Sequence, residues 1–540
     1  MNTNEIWVED ILANDECNKI DMFCKELRCE GKTVVLATFL TSEFSLDITC
    51  DKDIIDGYKE DSSNLPGKSD CLCRPHNEHE LAIIVRACFM SGIPFTISAG
   101  RSNLTGSATP EGGVIISTIF MLSPDVSIDL NAMVVRCPVG IILEDLRKRI
   151  ISETDENLFF PVDPTSRCDA TVGGAIACNA SGFTPGESGS MRIWVESIKF
   201  IFPDGKGCRI KRGDLISNNG EFIFRYKSEK KIVPVPLYIR PPVKNAAGPY
   251  SDPSGTMDFI DLIIGSEGIL GIVSECTLKL QQKPSDYLDI FFSLPDEEEA
   301  ILLVSHIRNN FLERFEGLSA FEYFGLNCRK YMDHEEQLFH GEDSVAIYIQ
   351  QPLVNSAFED AASEWLDILM TSNCSIDENA VKILDNERSR SIFFNARHSM
   401  PANSIEIVQQ RQTQTIMTDT VVPWENFREF LKYTHELIRS EDLEYLSFGH
   451  IGDSHLHFTI LPDKEQFSKG LEVYDKIVAK SAELKGVYSG EHGTGKRKRR
   501  DFLRCYGENA VGQICKCKAA VDPQFLLNRG NVVDCTGLNI

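Results

Sequence analysis

Two short stretches near the end of the 540-residue chain hold its densest set of reactive side chains. The first runs Gly449-His450-Ile451-Gly452-Asp453-Ser454-His455-Leu456-His457-Phe458-Thr459-Ile460. Its Gly-Asp pair supplies a turn, and the residues beyond alternate as in a strand, which places His455, His457 and Thr459 on one face. The turn lets His450 meet His457. The second stretch, Gly490-Glu491-His492-Gly493-Thr494-Gly495, sets an adjacent carboxylate and imidazole in a flexible glycine frame. Two imidazoles and a carboxylate are a common set for a catalytic divalent metal with open positions. A metal-dependent hydrolase could use the same set.

A separate group of segments is rich in glycine and small residues. Ala99-Gly100-Arg101-Ser102-Asn103-Leu104-Thr105-Gly106 follows the strand-like run IPFTIS, which suits an anion held by backbone N–H groups, or a plain tight turn. Pro161-Val162-Asp163-Pro164-Thr165 and then Thr171-Val172-Gly173-Gly174-Ala175-Ile176-Ala177-Cys178-Asn179-Ala180-Ser181-Gly182 leave their backbone little shielded. An extended ligand could lie against them, as could a packing seam. Gly265-Ser266-Glu267-Gly268-Ile269-Leu270-Gly271-Ile272-Val273 repeats the theme. Three such segments in one domain are hard to assign to turns.

These groups need elements to hold them. From Glu78, the apolar set Leu81, Ile84, Val85, Cys88 and Phe89 has helical spacing, and Gly92 ends the run. Strand-like VIIST and MVVRCPV and the helical ILEDLRKRI follow, which reads as an α+β domain with mixed connections. QQKPSD, after Leu280, breaks the pattern and opens a second block. There, 426–439 is a helix with Phe427, Phe430, Leu431 and Ile438 on one face and Pro423 just before it, and LEYLSF leads into Gly449-His450. AVDPQFLLNRGNVV reads as a helix stop and a coil that returns to the first domain. The domain expectation is an N-terminal extension over 1–64, a first domain over 65–282, a second over 283–505, and a returning segment over 506–540.

Composition excludes several classes. With 42% hydrophobic and 25% charged residues the chain is an ordinary globular one, long enough for several domain-sized units. Its 55 basic and 80 acidic residues leave a net charge of −25, which disfavours nucleic acid and anionic membranes as partners. No run is long enough to span a bilayer, and the acidic start MNTNEIWVEDILANDEC lacks an export signal, so the expected compartment is the cytoplasm. The 18 cysteines are therefore expected as reduced thiols. None forms a C-x-x-C, and Cys71/Cys73 and Cys515/Cys517 have no further cysteine at cluster spacing, so any redox centre must be borrowed. Cys515 and Cys517 are expected as helix-face thiols, and the basic run 496–500 as a solvated helix start.

In order and spacing, AGRSNLTG, PVDPTSRCDATVGGAIACNASG, FPDG and GSEGILGIV resemble the FAD-binding domain of the vanillyl-alcohol oxidase/p-cresol methylhydroxylase flavoprotein superfamily, over about 65–280. The resemblance implies that Ala99, Gly100, Arg101, Ser102, Asn103, Leu104, Thr105 and Gly106 cradle the pyrophosphate of FAD. It implies that Pro161, Asp163, Thr171, Gly173, Gly174, Asn179, Ala180 and Gly182, with Glu267, Gly268, Gly271 and Ile272, line the dinucleotide and flavin. The family's C-terminal N-P-G-K corresponds to Asn528-Arg529-Gly530-Asn531, without the proline and lysine, so only Asn528 carries over toward the ring. Arg101 stands where the family often has glycine. It either adds a cation near the pyrophosphate or points to solvent.

GHIGDSHLH followed by GEHGTGK resembles the C-terminal domain of FAD-linked 2-hydroxy-acid dehydrogenases, the group of D-lactate, D-2-hydroxyglutarate and glycolate dehydrogenases. This implies His450, His457 and Glu491 as metal ligands and His492 as the active-site base. Where those enzymes usually read G-D-G-N-L-H, this chain has Ser454 and His455, and His455 is left as an added ligand or a polar contact. Asn395-Ala396-Arg397-His398-Ser399 resembles the stretch whose arginine, here Arg397, grips the substrate carboxylate. Met417 replaces the lysine that the hydroxyglutarate branch carries two residues before Asp419, which points to a monocarboxylic acid.

The expectation is thus an α+β protein: a two-subdomain FAD-binding domain of the vanillyl-alcohol oxidase/p-cresol methylhydroxylase type plus an α+β substrate/cap domain with an antiparallel sheet. It would oxidise a D-2-hydroxy acid such as D-lactate to the 2-oxo acid by hydride transfer to non-covalent FAD, with zinc, manganese or iron assisting deprotonation. Electrons would leave to an electron-transfer flavoprotein, a cytochrome, an iron-sulfur subunit or a quinone. A non-catalytic FAD-carrying scaffold subunit and a metal-dependent hydrolase are the competing readings.

Overall fold

Helix Glu78–Ser91 starts at Asn77, whose side chain accepts from the Glu80 N–H, and stops at Gly92 with φ +63°. Leu81, Ile84, Val85 and Cys88 are buried on its inner face, as their spacing predicts. The face covers a sheet ordered Ile48–Thr49, Cys71–Cys73, Val114–Ser117, Phe95–Ser98, whose last three strands are parallel. Strand Phe95–Ser98 delivers the chain into the glycine loop at 99–106. The computed structural model describes residues 5–354 and 356–535.

A second subdomain is built on an antiparallel sheet ordered Glu9–Asp10, Lys206–Lys211, Val195–Ile201, Ile272–Lys279, Val134–Pro138, Ser127–Asp129. Edge-to-face pairs among Phe200, Phe202, Phe222, Phe224 and Phe259 fill its centre, a geometry in which ring edges meet ring faces. Helix Val172–Cys178 begins at Thr171, whose hydroxyl accepts from the Gly174 N–H. The two small subdomains form the FAD-binding type of architecture.

The cap is an eight-stranded antiparallel sheet ordered Val381–Ile383, Asp286–Leu294, Val345–Leu353, Ala320–Phe324, Tyr445–His450, His455–Ile460, Ile416–Met417, with Thr420–Val421 also paired to His455–Ile460. Strand alternation sorts its side chains. Leu456, Phe458 and Ile460 join the core under helices Glu297–Asn310, Phe358–Met370, Trp424–Ser440 and Phe467–Glu483. His455, His457 and Thr459 therefore project from the opposite face. Phe427, Phe430, Leu431 and Ile438 are buried in helix Trp424–Ser440, matching the predicted face.

The described part of the expected N-terminal extension is joined to the first domain: Glu5–Trp7 pairs in parallel with 223–225, Glu9–Asp10 pairs with 206–207, and helix Asn14–Glu26 packs on Glu78–Ser91. Strands this short carry no readable alternation. The expected boundary at 505 falls inside helix Arg499–Val521, which bends at Gly507 (φ +78°). Finally, the thiols are not all reduced. The returning segment, anchored where Phe95 bridges Leu527, brings Cys535 to Cys515, and the two form a disulfide with Cα atoms 5.6 Å apart. Among the described residues no helix is long and apolar enough to cross a membrane.

Candidate functional site

The glycine segments surround a cavity of 440 Å³. Of the residues expected at FAD, Ala99, Gly100, Arg101, Ser102, Asn103, Leu104, Thr171, Gly173, Gly174, Ala180, Gly182, Glu267, Gly268, Gly271, Ile272 and Asn528 line it. His450, Glu491 and His492 line it as well. A Cβ on Gly100 would lie 2.0 Å from the Asp169 carbonyl oxygen, and one on Gly182 2.0 Å from Asp163 Oδ1, so both walls need glycine. The buried hydroxyls of Ser98 and Ser117, each one residue from the lining, have no protein partner.

Five expected contacts lie outside the lining. Thr105 turns its carbonyl to the N–H groups of Lys496 and Arg497. Gly106, with φ +83°, packs against Leu65. Pro161 is buried beside the cavity, and Asp163 accepts from the Phe183 N–H. Asn179 caps helix Val172–Cys178 in the left-handed conformation and accepts from the Arg192 N–H. Arg101 lines the cavity with its backbone turned into the left-handed region. Its guanidinium bonds the Gly57 carbonyl and lies 4.5 Å from the Tyr58 ring, and its φ of +59° accounts for glycine being easier there. Asn528 staples two segments: its Oδ1 accepts from Ile97 N–H at 2.8 Å and its Nδ2 donates to the Glu267 carbonyl at 3.0 Å. Glu267 accepts from Ser107, Thr494 and Gly495, which ties the first loop to the Gly493-Thr494-Gly495 turn.

In this part of the wall, His450 Nε2 stands 3.2 Å from Glu491 Oε1, and behind it His457 Nε2 stands 4.0 Å from Glu491 Oε2. The His450 Nδ1–H donates to Glu322, and the His457 Nδ1–H donates to the Thr418 carbonyl. Burial opposes the charged form of His450, yet Glu322 and Glu491 outweigh it and hold this imidazole up at about 10. Burial instead pushes His492 down to about 4, with Asp419 only partly offsetting it. Lys244 Nζ lies 2.6 Å from Glu491 Oε1 and supplies positive charge there.

The donor atoms of His450, His455, His457 and Glu491 lie within 4.8 Å of one another. Nitrogen and carboxylate donors so gathered suit a divalent cation such as zinc, manganese or iron. Asp419, His457 and His492 are also close, but Asp419 already accepts from Ser489, Lys498, His455 and the N–H groups of Glu491 and His492. Arg397 does not line the cavity. It pairs with Glu322 at 3.0 Å and lies 4.2 Å from the ring of Phe183, which does.

Sequence reasoning missed Asp419, Glu322, Lys244 and Lys498 as parts of this site. A lone acid inside the apolar strand Ala320–Phe324 was a signal for Glu322. Lys498 belongs to the basic run expected to be solvated, but it is buried on Asp419, and Lys496 bonds Asn531. Nothing in the local pattern marks Lys244.

Comparison with known proteins agrees with this architecture. Residues 69–211 match the family described as FAD binding domain, and residues 351–532 match FAD linked oxidases, C-terminal domain. Both matched regions are those of FAD-linked oxidases, and the fold is of the vanillyl-alcohol oxidase/p-cresol methylhydroxylase type. The flavoprotein is 26% identical over 494 residues to a D-lactate dehydrogenase of Anaerostipes hadrus, covering 89% of this chain and 93% of that one. It is 23% identical over 512 residues to a D-2-hydroxyglutarate dehydrogenase of Stutzerimonas stutzeri, covering 90% and 96%. Its fold matches a p-cresol methylhydroxylase with substrate bound, with a TM-score of 0.66 at 14% identity over 98% of this chain and 100% of that chain.

Proposed function

We propose that this flavoprotein is a dehydrogenase that oxidises a D-2-hydroxy monocarboxylic acid, such as D-lactate, to the 2-oxo acid. The observation that carries the reading is the presence of His450, Glu491 and His492 in the wall of the same cavity as the glycine segments. A metal-only hydrolase leaves those segments without a role, and a scaffold subunit leaves the imidazole cluster without one. The glycine segments would hold FAD, which would supply the two-electron acceptor for oxidation of the alcohol carbon. His450, His457 and Glu491 would hold a divalent cation, which would supply Lewis acidity for the alcohol.

The protein's own groups do the rest. His492 accepts the hydroxyl proton at Nε2, because its Nδ1 is turned toward Asp419 at 3.5 Å and burial keeps the ring uncharged at neutral pH. Arg397, behind Phe183 and paired with Glu322 rather than in the lining, would have to reach past that ring to hold the substrate carboxylate. Cys178 lines the cavity, but burial pushes its thiol up to about 12, which suits non-covalent FAD. Electrons then pass to an external electron-transfer flavoprotein, cytochrome, iron-sulfur subunit or quinone.

The test is spectroscopic. Purified protein should be yellow, release its flavin on acid precipitation, and bleach anaerobically with D-lactate or a longer aliphatic D-2-hydroxy acid. Protein without flavin overturns the whole reading. Yellow protein that no 2-hydroxy acid bleaches overturns the assigned reaction.

A further inference from the structure

His455 is buried completely, and its ring is gripped at one end only. Its Nε2 lies 2.9 Å from Asp419 Oδ1. That carboxylate accepts, so Nε2 carries the proton and Nδ1 of the neutral ring carries a lone pair. The Nδ1 atom is buried with no hydrogen-bond partner and stands 4.0 Å from Glu491 Oε1. The oxygen already meets Lys244 Nζ at 2.6 Å, but the His455 lone pair, out of contact with water, has no partner and leaves a place for a cation.

The neighbouring imidazoles follow the same rule. His450 donates Nδ1–H to Glu322, His457 donates Nδ1–H to the Thr418 carbonyl, and each points its other nitrogen at Glu491. Fixing the far nitrogen by an oxygen acceptor is how proteins orient metal-bound histidines. The backbone makes room for the third ring, since a Cβ on Gly490 would lie 2.9 Å from His455 Nε2.

We infer that His455 is a fourth protein ligand through Nδ1, completing a three-imidazole, one-carboxylate centre with His450, His457 and Glu491. This rests on the metal reading above, and with four protein ligands in place the substrate hydroxyl would enter as a fifth, a coordination number that zinc can reach. Donors on a tetrahedral zinc ion with bonds of about 2.0–2.1 Å stand roughly 3.3–3.4 Å apart. The observed spread, within 4.8 Å, must therefore contract by roughly 0.7 Å at each of two facing groups when the ion binds.

X-ray absorption at the zinc edge of FAD-replete, zinc-loaded protein should require three imidazoles at about 2.0–2.1 Å. A fit needing only two overturns the assignment without any variant. Zinc dissociation constants provide a second readout. His455→Ala should bind zinc more weakly by more than the roughly 10–100-fold that loss of an outer partner costs, with FAD content and circular dichroism unchanged. His455→Asn, which keeps a polar group at the site, should behave alike if the Ala variant misfolds. If His450→Ala loses zinc while both His455 variants keep wild-type affinity, the fourth ligand fails and the metal centre stands. If wild type and His450→Ala bind zinc equally poorly, the metal reading itself fails, and this inference with it.

Discussion

Lys498 Nζ lies 2.9 Å from Asp419 Oδ2, and both side chains are withdrawn from water. Asp419 also takes hydrogen bonds from His455 and from the backbone of Glu491 and His492, so one carboxylate sets the position of both halves of the candidate site. Burial works against its charge, but His492, Lys498 and His455 outweigh that and hold its pKa well below the usual range.

Lys498→Met should leave that carboxylate charged and without its ammonium partner. Breaking a buried pair from one side costs about 3–5 kcal/mol. Urea denaturation should show a loss of this size. An unchanged midpoint would mean that the hydrogen bonds alone satisfy Asp419.

His492→Ala should keep FAD and metal yet slow anaerobic flavin reduction by on the order of 10²-fold or more, the scale for losing a positioned base. Stopped-flow rates at saturating substrate check it. Near-normal reduction, with flavin and metal content verified, removes His492 from the proton's path.

Chelation should abolish turnover and leave FAD bound, because the donors lie in the cap while most of the cavity belongs to the FAD-binding domain. Zinc or manganese should restore the rate. Full activity in protein shown by elemental analysis to be metal-free would dismiss the cation.

Substrate choice follows from the missing lysine at Met417. Arg411, the nearest alternative in sequence, is committed to Glu444 and the Leu461 carbonyl. D-lactate or a longer aliphatic acid should therefore exceed D-2-hydroxyglutarate in kcat/KM. The opposite order would show that another cation receives a second carboxylate.

Glu275 offers a pH prediction away from the site. Burial raises its pKa, but Arg136 and Arg209 outweigh this and bring it to about 2. Its folded value is thus below its unfolded one, so its stabilisation is present above about 4.5 and is lost as pH falls toward 2. Glu275→Gln should cost on the order of 1–2 kcal/mol at pH 7, after screening of the half-exposed arginines, and progressively less below pH 4.5. Urea midpoints at pH 7 and pH 4 test the trend.

Several of these features were legible in the sequence. Helix Glu78–Ser91 announces itself by the spacing of Leu81, Ile84, Val85 and Cys88, and the alternation from His455 onward puts two imidazoles on one face. The adjacency of Glu491 and His492 is plain, and the glycine segments do wall one cavity. Asp419 was harder to see because its donors come from 455, 489 and 498, positions that meet only after the cap sheet forms. Lys498 was hidden by its own neighbours, since a run of five basic residues reads as solvated. The Cys515–Cys535 bond depends on the final segment folding back, which no local spacing encodes.

The side chains of Asn103 and Thr105 both donate to the carbonyl of His492, and a Cβ on Gly495 would lie 2.1 Å from the Thr105 carbonyl oxygen. The loop that faces the dinucleotide and the loop that carries Glu491 are therefore one mechanical unit. Order imposed on either should be inherited by the other, so if the site takes both groups their affinities should be linked, each raising the other by the same factor. Protein stripped of its flavin should then hold a divalent cation less tightly.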